Sequence, residues 1–469
     1  MKLLIGLLTL CGIFLLSSLN WQRSVKAALF ILVIEGALRK WVLPQANELI
    51  YFLKDFMLLG AYLNYFFFKG RQEKCIHNDY INFLIFIVTC WCLFQSFNPS
   101  LGSPIIGILG LKGYLLNIPL IWMLQDLFQS EQEMQVFLRK HLLLIIPVGI
   151  LGIVQFFSPP SSPINSYATQ DVEYIATFGN GSVFARITGS FSYLDTYVVY
   201  LIVCFGLLIP LLLLKQSGWW KWASLVEILL VSINSFMTGS RSCVFASILF
   251  LVGYFSIQGL IQPVNNLHFL KQFLLPVLII VIASSIWFRP AIEAFWFRTS
   301  DYSDSTVSRI SRTFTQPLEY IQYKGIYGYG TGATQVSGRV ISKALDLPVG
   351  EVIPIGYEEE PGRIMLELGL IGFIFWYGLR VSILISLWLV FWKLKRPFLR
   401  QLALTAFLIH AIQLNDQLVT QHIFSVYYWF LASFIFLLPR LEKIETLHKY
   451  QRLLQQNVSA ASFNGSSHQ

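Results

Sequence analysis

Apolar runs follow one another from end to end of the chain, separated by short polar loops. Each run is roughly 17 to 25 residues long, enough to cross about 30 Å of hydrocarbon as a helix whose backbone groups are satisfied internally. Within the runs the apolar residues do not alternate, which excludes a β-barrel. Spans are expected at residues 3–19, 25–38, 47–68, 79–95, 104–123, 141–157, 191–214, 222–237, 243–257, 270–288, 364–392, 401–415 and 421–439. The fold class is therefore an all-α integral membrane protein with about 12–13 transmembrane helices. One polar segment, 289–361, is too long for a mere connector and is expected to fold over the membrane surface as a large extracytoplasmic loop.

Composition agrees with lipid as the solvent: 55% of residues are hydrophobic, 13% charged, and the mean hydropathy is +0.61, which leaves too little polar surface for an ordinary soluble protein. The stretch Met1–Leu19 has Lys2 before an apolar core, as a secretory leader would. It lacks a small-x-small cleavage site, and the next run begins near Val25, so it reads as a helix. Cys11, Cys75, Cys90, Cys92, Cys204 and Cys243 form no CxxC pair and no ligand cluster with histidine, which makes them packing residues and leaves no metal site or cofactor expected.

The net charge of +9 is spread over short loops, with no soluble basic domain to present it to nucleic acid, so membrane topology and anionic lipid account for it. Lys69, Arg71 and Lys74, then Lys215 and Lys221, then Lys393, Lys395, Arg396 and Arg400, and finally Arg440, Lys443, Lys449 and Arg452 fall on one side, the cytoplasmic one. The chain then divides into N-terminal helices (1–157), an outer loop (158–190), helices with a polar turn at 238–242 (191–288), the large outer loop (289–361), C-terminal helices (362–439) and a cytoplasmic tail (440–469). The tail starts helical and basic and ends in the polar NVSAASFNGSSHQ, expected to be disordered. This scheme puts the N-terminus outside and leaves Arg39 and Lys40 in an outer turn.

Outer loops of modest length normally avoid arginine, yet Arg186 (FARITGSFSY) and Arg241 (MTGSRS) stand there at the mouths of spans. The long loop adds Arg298, Arg309, Arg312 and Arg339, and Arg363 opens the span that follows. Guanidinium binds phosphate and diphosphate bidentately and stays charged, so a lipid diphosphate is the ligand these residues suggest; pairing with acidic neighbours is the plainer account for any one of them. For Arg241 the functional account is preferred, because Gly239, Ser240 and Ser242 allow close backbone approach and supply hydroxyls. In YEEEPGRIMLELGLIGFIFW, Glu358, Glu359 and Glu360 precede Pro361, which suits the first turn of a helix, and one of them could serve as general base toward a hydroxyl. Glu367 lies within an apolar run, where an ionisable residue is a functional candidate by default. The run GIYGYGTGAT (325–334) lacks the GK[ST] ending of a phosphate loop and reads as a turn-rich loop. Arg380 and His410 each either line a cavity or are satisfied by neighbouring helices.

Taken in order, MTGSRS with its apolar helix, a long outer loop containing GYGTGAT, and EEEPGRIMLELGLIGFIFW resemble the O-antigen ligase and O-antigen polymerase superfamily of bacterial envelope enzymes, most strongly over 191–392. The resemblance implies a GT-C-like, metal-independent glycosyltransferase in the bacterial inner membrane. Such an enzyme takes glycan from an undecaprenyl diphosphate carrier at the outer leaflet, with a chain-length regulator and a flippase as partners. It also implies that Arg241 and the segment 358–369 carry the chemistry, with arginines of the large loop on the diphosphate. Ligases of the group carry a histidine roughly where Glu358 stands, so the glutamates favour a polymerase or an exopolysaccharide enzyme over transfer to lipid A or protein. A lipid-linked glycan flippase or other transporter would also set arginines against diphosphate, but should show related halves and glycine-broken helices near the bilayer midplane. An assembly scaffold would leave Arg241 tolerant of substitution.

Overall fold

The computed structural model describes residues 2–68, 79–168, 175–179, 183–214, 218–261, 288–300 and 306–465, without the side chains of 2–5, 7, 298–300, 306–310, 336, 337, 339, 340 and 457–465. The expected span 270–288 lies outside the described residues apart from Phe288, as do Lys69, Arg71, Lys74, Cys75 and Lys215.

Elsewhere the apolar runs become helices: α1 Lys2–Ser17, α2 Trp21–Ala37, α3 Asn47–Leu63, α4 Asp79–Ser96, α5 Pro104–Leu115, α6 Leu120–Met123, α7 Glu131–Leu142, α8 Ile145–Phe157, α9 Leu194–Leu212, α10 Gly218–Met237 and α11 Arg241–Ile261. After the undescribed stretch come α12 Arg289–Ser300, α13 Thr306–Lys324, α14 Val336–Ala344, α15 Glu360–Lys393, α16 Pro397–Ile412, α17 His422–Ala432 and α18 Phe434–Gly465. A two-stranded antiparallel ribbon, β1 Thr177–Phe178 with β2 Phe184–Ala185, is the sole sheet among the described residues.

Among the described residues, seven helical stretches are long and apolar enough to cross a membrane: Asp79–Ser96, Pro104–Asp126, Glu131–Phe157, Leu194–Leu212, Arg241–Ile261, Glu360–Lys393 and His422–Gln456. The chain is thus an all-α, multi-pass membrane protein. The expected spans 25–38 and 47–68 are not among the seven: α2 and α3 run on as π-helical turns, Leu38–Val42 and Asn64–Phe68, but their apolar runs are interrupted by the ionisable Glu35, Lys54 and Asp55. The bundle turns apolar side chains outward as well as inward, with Phe67, Phe83, Phe86, Trp219, Trp222 and Leu249 all exposed, as lipid contact demands. Helix α9 is buried nearly all round, an apolar axis for the C-terminal half. At the far end of the chain, helix continues to Gly465 through the tail expected to be disordered; extending an existing helix costs little where no proline intervenes.

Loops sort to two ends of the bundle. At one, Lys26 pairs with Glu133 (2.7 Å), Arg396 with Glu131 (2.6 Å) and Arg440 with Asp126 (3.3 Å), which collects the basic loops. At the other, Lys40 meets Thr188 and Gly189, Arg186 meets Thr238, Gln95 meets Tyr327, Ser100 meets Glu351 and Gln417 meets Glu358. Arg39 and Lys40 therefore do share an end with the 158–190 loop. Glu351 is fastened twice there, by the Lys324 ammonium and the Ser100 hydroxyl, and those hydrogen bonds hold its carboxyl below the usual range.

Candidate functional site

The loop-rich end carries the sequence candidates, on three local structures. The first is the turn between α10 and α11. Gly239 takes φ +61° after the end of α10, the left-handed conformation that stops a helix, and a Cβ there would press on the Phe178 ring at 2.8 Å. The Thr238 hydroxyl receives the Ser240 N–H (3.1 Å), and the Ser240 and Ser242 hydroxyls bond each other at 2.8 Å. Arg241 begins α11, and Arg186 donates its Nε–H to the Thr238 carbonyl at 3.1 Å. The two arginines singled out by topology are thus neighbours across one turn.

The acidic run opens α15 as Pro361 suggested, but its members differ. Glu358 is exposed, and its carbonyl takes the Gln417 amide (3.1 Å) and the Arg363 Nε–H (3.4 Å). Glu359 occupies the N-cap position. Glu360 is buried: one carboxylate oxygen accepts the Val419 N–H at 3.0 Å while the other has no hydrogen-bond partner, and Arg363 and Arg380 lie within electrostatic reach. The guanidinium of Arg363 sits over the Tyr357 ring at 5.3 Å. Asp416 lies within electrostatic reach of Arg380, Glu359 and Asp195, and Asp195 and Arg186 both act on Tyr167, whose phenol burial raises. Asp195 is thus within electrostatic reach of both Tyr167 and Asp416.

The Glu367 carboxylate is turned into the protein. Its carboxylate receives Tyr114 OH (2.7 Å), Gly332 N–H (3.0 Å), and both the N–H (2.9 Å) and hydroxyl (2.7 Å) of Thr334. The GYGTGAT loop does cradle an anion, but the anion is the protein's own. Two residues on, Gly369 breaks α15 with φ +68° and ψ −175°, and a Cβ there would lie 2.1 Å from the Ile326 carbonyl oxygen. Carbonyls freed by the break are taken by the loop: Tyr329 N–H on Leu366 (2.7 Å), Gly330 N–H on Glu367 (2.9 Å), with the Trp91 indole on Leu368 (2.9 Å).

Of the other candidates, Arg312 is exposed on α13, and the side chains of Arg298, Arg309 and Arg339 lie outside the described residues. Arg380 is buried between the Tyr377 and Tyr428 rings with Nη2 on the Gln413 carbonyl (2.9 Å), while His410 bonds the Ala406 carbonyl (2.8 Å).

Sequence reasoning passed over a further cluster at this end. Glu35 is 3.1 Å from Lys54, 3.6 Å from Arg39 and 3.6 Å from His422; Asp55 is 2.6 Å from Lys112 and 3.9 Å from Lys54. Arg39, Lys54 and Lys112 all lie over the Tyr51 ring, at 5.2, 4.6 and 4.1 Å from its centroid. The signal was present: Glu35, Lys54, Asp55 and Lys112 are ionisable residues within or beside apolar runs, the criterion applied to Glu367.

No family model and no curated protein sequence matches the chain. The resemblance to the ligase and polymerase superfamily therefore rests on the sequence motifs alone.

Proposed function

We propose that the chain is a glycosyltransferase of the multi-pass class, which polymerises or transfers lipid-diphosphate-linked glycan units at the outer face of a bacterial cytoplasmic membrane. The observation that carries this reading is the bond from Arg186 to the Thr238 carbonyl, three residues before Arg241, at the bundle end that also holds Arg363 and the acidic run. In the proposed reaction an acceptor hydroxyl attacks the anomeric carbon, the carbon–oxygen bond to the lipid diphosphate breaks, and the hydroxyl proton passes to a carboxylate. Arg186, Arg241 and Arg363 hold the departing diphosphate, where positive charge lowers the barrier most. Glu358, exposed beside Glu359, is the carboxylate an acceptor can reach; Glu360 is buried beneath the Val419 N–H and steadies the 413–421 loop.

The test is incubation of the purified protein with a lipid-linked oligosaccharide. Longer glycans indicate a polymerase, transfer confined to lipid A or protein a ligase. Arg241→Ala should slow transfer by about 100-fold, the scale of losing one transition-state donor. Glu358→Gln should do the same through loss of the base, with an unchanged unfolding midpoint. Wild-type rates in both variants would refute these roles.

A transporter is the second reading, favoured by one feature, the glycine break at Gly369. The loop amides and the Trp91 indole already occupy the carbonyls at that break, which leaves little for a solute to bind. Absence of any glycan transfer, with uptake of lipid-linked oligosaccharide into vesicles, would favour it.

A further inference from the structure

The charges around Tyr51 do not balance. Three cations, Arg39, Lys54 and Lys112, stand against two carboxylates, Glu35 and Asp55, which leaves one positive charge in excess even with His422 neutral. Arg39, Lys54 and Glu35 are almost wholly shielded from solvent, in helices whose other faces are apolar. A buried ion cluster that served only to hold helices together would gain from exact neutrality, since each uncompensated charge in such surroundings costs several kcal/mol, so the surplus points to an anion from outside.

The geometry says where that anion would come from. Lys112 is the member nearest solvent, with its side chain about a quarter exposed along the stem while Nζ and Asp55 Oδ2, 2.6 Å apart, are themselves buried; that contact is the one an incoming anion would exchange. On the opposite side the cluster is fastened to the segment that carries Arg186: Arg39 Nη1 donates to Ser192 Oγ at 3.0 Å, and Lys40 Nζ to Thr188 Oγ1 and the Gly189 carbonyl at 2.9 Å each. Residues 186–192 thus run from the Arg186–Arg241 turn to the Tyr51 cluster.

We propose that the Tyr51 cluster is a second anion subsite, which takes a phosphate of a diphosphate-bearing lipid, with Lys112 as the cation that changes partner and Asp55 as the competing internal anion. This rests on the glycosyl-transfer reading for the identity of the ligand as a diphosphate. Arg39 and Lys54 supply the fixed field, and Tyr51 holds the three cations at one ring so that they converge without needing carboxylates between every pair.

The test is titration of farnesyl diphosphate into the full-length protein in nanodiscs of zwitterionic lipid, with inorganic pyrophosphate and phosphatidylglycerol as competitors. Lys112→Met should weaken binding about tenfold and Asp55→Asn should tighten it several-fold, because the first removes a cation and the second removes its competitor. A structural cluster cannot give that opposition of sign: both substitutions would lower the unfolding midpoint and leave affinity unchanged, which overturns the proposal. Displacement by inorganic pyrophosphate supports the diphosphate as the determinant, whereas displacement by phosphatidylglycerol alone assigns the cluster to bulk lipid and overturns it. Binding that is lost in Arg241→Ala but indifferent to Lys112 and Asp55 sinks this subsite and spares the transferase reading; no binding of either diphosphate by the wild type sinks both.

Discussion

Glu367 and the Tyr51 cluster are both ionisable chemistry buried among apolar helices at the same end of the bundle, yet they are built in opposite ways. Around Glu367 one negative charge is surrounded by four neutral donors from Tyr114, Gly332 and Thr334, and nothing is left over. Around Tyr51 charge faces charge, with one cation in excess and the Lys112 stem at the edge nearest solvent. A carboxylate saturated by backbone and hydroxyl donors is a fastener, because no donor remains to exchange for a ligand. A cluster with residual charge can exchange an internal partner for an outside one. Burial of an ionisable group thus marks a place worth inspecting, and the count of its partners decides what it does there.

The largest effect expected from this comparison is at the fastener. Glu367→Leu leaves Tyr114, Gly332 and Thr334 with four buried donors and no acceptor, at about 1–3 kcal/mol for each that stays unpaired, so a loss of about 4 kcal/mol or more follows. Thermal unfolding in detergent would show it as a sharp fall in midpoint that no added ligand repairs. Glu35→Gln should cost somewhat less, about 3 kcal/mol, by depriving Arg39, Lys54 and His422 of their shared carboxylate. Here the expected behaviour diverges: an anion that binds the folded cluster stabilises it by mass action, so pyrophosphate should recover part of the lost midpoint. Recovery in Glu367→Leu as well, or in neither variant, would erase the distinction between the two regions.

Much of this architecture was legible in the chain and some was not. Hydropathy located the seven long apolar helices, and in the bundle Arg396 and Arg440 pair at one end while Arg186 bonds Thr238 at the other. The positive-inside rule marked Arg39 and Lys40 as anomalies, and it is these that turn out to reach Ser192, Thr188 and Gly189. The role of Glu367 was hidden, because its donors come from Tyr114 and from residues 332–334, which no local pattern links to it. Gly369 was hidden for a related reason: LELGLIG reads as uninterrupted helix, and only the packing of Ile326 and Gly328 against the backbone demands the positive φ. Of the three consecutive glutamates, burial separates Glu360 from Glu358, and that depends on the 413–421 loop folding over one of them.

The smallest expected effect lies at the margin of the cluster, on Lys40, and its sign follows from linkage. Lys40 extends from the turn after α2 with its ammonium over the Trp41 ring at 4.3 Å, and burial pulls its pKa from the ordinary 10.5 down to about 7. Below pH 7 both folded and unfolded chains carry the proton, and the folded one bears the cost of a buried charge. Between about 7 and 10.5 the unfolded chain still binds the proton while the folded amine is neutral, so this residue makes stability rise with pH across that window. A neutral amine retains the two N–H donors needed by Thr188 and Gly189, so the fold loses no hydrogen bond on deprotonation. The unfolding free energy from pH 7 to pH 9 should therefore climb more steeply for the wild type than for Lys40→Met, by about 2 kcal/mol over the range. Equal slopes would mean that Lys40 keeps its charge in the folded protein, which would add a fourth cation to the cluster and strengthen the case that its surplus is meant for an anion.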